Sequence, residues 1–145
     1  MPETTQSYSS HVRWHPPFHF VLIPILFLHL IWCIFRLYKS PGFGSAEALL
    51  LAIGLLLMGF LVRTNPLRAQ DRIIRQEEQL RYQRLLPADL AAKASALPIG
   101  LIVALRFASD EELPVVAQQA IDGRFAKPDE LKRAISSWRG DHFRV

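Results

Sequence analysis

The sequence predicts an all-α protein: an antiparallel transmembrane helix hairpin, a second helix extended into the cytoplasm, and a small helical C-terminal domain. Three observations predict it. Residues 18–62 carry only three charged side chains, Arg36, Lys39 and Glu47, whereas the remainder of the 145-residue chain carries nearly all the others. Two apolar runs in that stretch are long enough to cross a bilayer. Beyond residue 86, apolar residues recur at helical spacing between proline and glycine stops. The resulting division is a polar N-terminal tail (1–15), a transmembrane hairpin (16–62), a basic amphipathic helix (63–86) and a soluble helical domain (87–145).

The tail shows no periodicity, and it lacks both the charged start and the small-residue cleavage site of a signal peptide. Trp14, Phe18 and Phe20 suit a membrane–water boundary, and Pro16-Pro17 suit the first turn of a helix, where a missing N–H costs nothing. The first span covers about 18–38. Pro24 lies inside it and is expected to bend it, and Arg36 and Lys39 favour its C-terminal end. Ser40-Pro41-Gly42-Phe43-Gly44 reads as a turn, with Ser45 as N-cap of the second span, about 46–62.

Next comes a basic stretch. Residues 63–84 hold six arginines against three acids, a surplus of three within the chain's net charge of +4. Positive charge beside an apolar run orients a membrane protein, so the C-terminal side is cytoplasmic, and with two spans so is the N-terminus. No recognition motif accompanies this charge, which argues against nucleic acid as a partner. Asp71–Arg75 and Glu77–Arg81 are acid-before-base pairs at i, i+4. Leu67, Ile73, Ile74, Leu80 and Leu85 form a narrow apolar stripe. Arg68, Arg72 and Arg75 share a face, which marks them for contact with a partner or with the membrane surface. Pro66 should kink the junction with the span.

In the soluble domain, Leu86, Leu90 and Leu97 share the face of a helix beginning near Pro87. Pro98 opens a short helix with Ile99, Ile102 and Leu105 inward. Ser109 and Glu112 form an S-x-x-E capping box ahead of Leu113, Val116, Ala117, Ala120 and Ile121, and Gly123 stops that helix. A last helix runs from Pro128 to Gly140 with Leu131, Ala134, Ile135 and Trp138 inward.

Candidate chemistry is sparse. His15 and His19 stand four apart, but Pro16 and Pro17 between them remove the shared helical face a metal pair needs. His29, near the middle of the first span, is costly there and calls for a partner; it could ligate a tetrapyrrole metal. Asp110, Glu111 and Glu112 read as N-terminal charges of a helix. Asp141, His142 and Arg144 have no accompanying nucleophile, and the chain has no phosphate-binding loop. The lone Cys33 permits no intramolecular disulfide.

Several stretches resemble a bacterial family of uncharacterised two-pass membrane proteins, grouped by a domain of unknown function. They are Pro16-Pro17-Phe18-His19-Phe20, Gln70 to Arg75 with Glu77-Glu78, Ala104 to Asp110, and Trp138 to Val145. The resemblance implies the same two-span topology and no known chemistry. These readings converge on a non-catalytic accessory or scaffold protein of the bacterial cytoplasmic membrane. Its partners are the lipid bilayer and a protein or a second copy of itself, and it holds no cofactor. The alternative is a small subunit of an electron-transfer or light-harvesting complex with His29 as tetrapyrrole ligand.

Overall fold

The computed structural model describes Tyr8 and residues 14–141. Most of the N-terminal tail, and His142 and Arg144, therefore lie outside the described residues. The described chain is all-helical and divides into two compact units, one spanning Arg13–Pro66 and the other holding Leu67–Val145 together with the first twelve residues.

The first unit opens with a π-helical turn, Pro17–Leu22, that runs into α1 (Ile23–Lys39). The π register ends just before Pro24. A proline ring crowds the carbonyl four residues back and offers no donor, and a widened turn accommodates both defects. Phe43–Leu85 forms one helix, α2, which is unbroken across Pro66. Ser45 is not an N-cap. The helix starts earlier, and the Ser45 hydroxyl donates back to the carbonyls of Ser40 and Gly42, both at 2.9 Å.

Along α1 the least exposed residues are Ile23, Leu26, Leu30, Cys33 and Leu37; along the first part of α2 they include Ser45, Ala48, Ala52, Leu55 and Gly59. Both sets repeat every three to four residues, so each helix turns one narrow stripe away from solvent. At Gly59 a Cβ would sit 3.1 Å from Leu26 Cδ1. The glycine therefore lets α1 and α2 approach closely. Nearly all other large apolar side chains of this unit are exposed.

The second unit contains the end of α2, then α3 (Ala88–Ser95), α4 (Ile99–Leu105), α5 (Leu113–Ile121) and α6 (Pro128–Ala134). Its core gathers Tyr82, Leu86, Leu101, Leu105, Phe107, Leu113, Val116 and Leu131 among others. α3 packs on α5, and α4 packs on both α5 and α6. Gly100 makes the α4–α6 approach possible, since a Cβ there would meet Pro128 Cγ at 2.9 Å. Gly123, at φ 77°, ends α5 in the left-handed conformation that glycine adopts without strain.

Of the apolar stripe on α2, Ile73, Leu80 and Leu85 are exposed and Ile74 is buried beside Glu78, Arg81 and Tyr82. Two expectations are corrected. Ile99 points outward, and Leu101 takes its place because α4 is covered by two neighbouring helices. The last helix stops at Ala134, which is exposed. From Ile135 the chain is extended and pairs antiparallel with the segment after α4 through a bridge between Ala108 and Trp138. The Ser109 N–H donates to Ser137 O at 3.0 Å and the Arg139 N–H to Phe107 O at 2.7 Å. The Trp138 ring lies over Phe107, with centroids 4.9 Å apart. Tyr8 is seated on the same unit, its ring 5.2 Å from the Arg133 guanidinium.

Candidate functional site

Four charged residues of the second unit, Glu78, Arg81, Asp110 and Arg139, converge on one place. Arg81 projects from the packed face of α2 and is only 3% exposed. Its Nε donates to Asp110 Oδ1 at 2.8 Å, its Nη2 to the Ala108 carbonyl at 2.7 Å, and its Nη1 to Glu78 Oε2 at 3.2 Å. Arg139 brings a second guanidinium to Glu78 Oε1 at 3.5 Å. A buried charge is tolerable only when its hydrogen-bonding capacity is filled in this way. The arrangement clamps α2 to the segment after α4 and to the extended chain end.

Burial pushes the Glu78 carboxyl above its ordinary value of 4.5; Arg81 and Arg139 pull against that shift, and Glu77 adds to it. Tyr82, wholly buried one residue from Arg81, has its phenol pushed well up, by burial first and then by the Glu78 charge. Its hydroxyl has no hydrogen-bond partner among the described residues.

Glu112 does a different task from the one its capping box implied. The Ser109 hydroxyl does accept the Glu112 N–H at 3.2 Å. The reciprocal half is absent, because the carboxylate reaches across to the chain end. There it accepts the Ser136 N–H at 2.9 Å and the Ser137 N–H at 2.8 Å. The acidic run 110–112 therefore ties distant segments together in addition to preceding α5. Neither expected α2 pair forms among the described residues: Arg81 turns to Glu78 and Asp110 instead of Glu77, and no ion pair joins Asp71 to Arg75.

Above this clamp lies an open cleft of about 580 Å³ lined by Arg81, Arg84, Leu85, Ser109, Asp110, Glu111, Ser137 and Arg139. Its floor is fixed by the buried ion network, and its rim carries charges of both signs. Arg68, Arg72 and Arg75 do not line it; all three are exposed on α2. His29 is an exposed side chain of α1 with its Nε2 3.7 Å from Cys33 Sγ. His19 folds back on the chain start, its Nδ1 3.0 Å from the His15 carbonyl.

Sequence reasoning missed Glu78, Arg81 and Arg139. A signal was available for the first two: they fall on the same helical face as Ile74 and Tyr82, so the packed face was marked by its spacing and hidden by its charge.

These features define an all-helical protein with two helices long and apolar enough to cross a membrane, Pro17–Lys39 and Phe43–Leu85, and a compact charged helical unit. The chain belongs to a family of unknown function, DUF6526, which matches residues 1–145. No curated protein and no solved structure matches it.

Proposed function

We propose that the chain is a non-catalytic, membrane-anchored docking protein of the bacterial cytoplasmic membrane. α1 and the first part of α2 form an antiparallel hairpin in the bilayer, and the helical unit on the cytoplasmic side holds a protein partner in its cleft. The observation that carries this reading is the cleft itself. Most of its polar groups are already committed: Asp110 to Arg81, Ser109 to the Glu112 N–H, and Arg139 to Glu78. Groups so held shape a fixed surface for recognition. Arg84 and Glu111, exposed at the rim and in no ion pair among the described residues, fit a partner segment carrying both an acid and a base.

The anchoring half rests on exposure. A core helix of a soluble protein is mostly buried, yet in α1 only Cys33 is buried. Such a continuous apolar surface calls for lipid or for a protein cover. The seating of Tyr8 against Arg133 supports termini on one side of the membrane, because an even number of crossings returns the chain to the side it left. Arg68 and Arg75 follow the second span closely and suit anionic headgroups, at about 1 kcal/mol each.

Two measurements test this. In a Cys33→Ala background, Phe43→Cys at the start of α2 should be labelled from outside intact cells and Gln118→Cys should not; the opposite pattern overturns the topology. A photo-crosslinking residue at Arg84 should give a discrete protein adduct that one at exposed Val115 does not. Equal or absent adducts at both positions overturn the docking role. An absorbance spectrum of the detergent-purified chain tests the alternative, a tetrapyrrole on His29.

A further inference from the structure

One face of α2 takes no part in the helical unit. Ala69, Ile73, Gln76, Leu80 and Gln83 are all exposed and recur at spacings of four, three, four and three. They lie opposite the buried set Ile74, Glu78, Arg81, Tyr82 and Leu86. Ile73 is 55% exposed and Leu80 61%, costly positions for large aliphatic side chains on an otherwise charged helix. Alternating three- and four-residue steps are the pattern by which two helices wrap around each other, with the seam positions inside.

The flanks of this seam are charged in a complementary way. Arg72 and Glu77 lie on its two sides, five residues apart, both exposed, and no ion pair within the described chain engages either. In a parallel two-stranded coil, a flanking residue meets the residue five positions further along the other strand. A two-fold axis then sets Arg72 against Glu77 of the partner subunit, and the symmetry repeats the contact on the other side.

We propose that a second copy of this chain binds along this face, making a parallel homodimer with Ile73 and Leu80 at its centre and reciprocal Arg72–Glu77 pairs at its edges. The direction rests on the membrane-hairpin reading. Two copies inserted in one bilayer with the same topology send α2 out on the same side, so a parallel pair is the arrangement available to them. Confinement to the bilayer also raises the effective concentration of the partner. Ala69, Gln76 and Gln83 sit at the remaining inner positions, and the two amides there fix register and weaken the seam. The pair is therefore reversible.

The test uses the full chain in native membranes, in a Cys33→Ala background. Gln76→Cys and Gln83→Cys should each form a disulfide-linked homodimer under mild oxidation. Arg75→Cys, exposed but turned away from the seam, should not. With Gln76→Cys as reporter, Arg72→Glu alone or Glu77→Arg alone should lower the dimer yield roughly two- to fivefold, and the two together should restore it. Cross-linking equal at positions 75 and 76, no restoration by the charge exchange, or adducts to a different protein at 76 and 83 each overturn the proposal. Carbonate extraction of the same membranes separates this result from the anchoring reading. A chain that extracts as soluble but still cross-links defeats the anchor alone, and one that stays membrane-bound without cross-links defeats the dimer alone.

Discussion

At the scale of single residues, the fold of the charged unit turns on Arg81. Arg81→Ala should destabilise the unit by about 3–5 kcal/mol, because it strands the buried Glu78 carboxylate and the Ala108 carbonyl together. Denaturant unfolding measures this, and a loss under about 1 kcal/mol would mean that water reaches the site. Glu78 supplies a pH signature. Its folded value is raised above 4.5, so the folded state holds the proton more tightly than the unfolded one. The stability it contributes is complete below that value and is lost as pH rises through the raised folded value. Arg81 and Arg139 oppose this loss; Glu77 reinforces it. Unfolding free energies measured across that window should fall with rising pH, and Glu78→Gln should flatten the slope. These residues were not legible as a site in the sequence. Local pairing rules reach three or four positions along a helix, and Arg81 finds Asp110 twenty-nine positions away.

At the scale of elements, the sequence was most readable where one rule dominated. The two apolar helices follow from composition alone, and the starts of α4 and α6 follow from Pro98 and Pro128. The end of α6 was misread for a definite reason. Leu131, Ile135 and Trp138 fit helical spacing, but Trp138 is held by Phe107 and by a backbone bridge to Ala108, neither of which spacing reveals. The packing of α4 on α6 gives a sharper test. Gly100→Ala would put a methyl carbon 2.9 Å from the Pro128 ring, so the helices must part. The expected cost is about 1–3 kcal/mol, the range for overpacking a filled core. Thermal unfolding reads it, and a variant as stable as the parent would show that the proline ring yields freely.

At the scale of the whole molecule, the compact charged unit begins earlier than the last four helices. Tyr82 of α2 and Leu86 just after it belong to its core, and Arg81 to its clamp. A fragment of residues 67–145 should therefore melt cooperatively. A fragment of residues 87–145 should be far less stable, because a domain of about 60 residues buries only about 60% of its unfolded surface and is marginal, and this one also loses its clamp. Circular dichroism on both settles the matter; equal melting would mean that α2 contributes nothing to the fold.

The chain end that lies along the segment after α4 also governs when the unit forms. Glu112 waits for Ser136 and Ser137, Glu78 for Arg139, and Arg106 for Asp141, which it meets at 3.0 Å. Synthesis at about 5–20 residues per second puts on the order of ten seconds between the end of the apolar stretch and the last of these partners. During that interval a nascent chain has its apolar helices complete while Arg81 and Glu78 still lack part of their clamp. A stop codon anywhere before Trp138 would hold the molecule in that state, so early truncations should produce chains that are degraded rather than shorter chains that work.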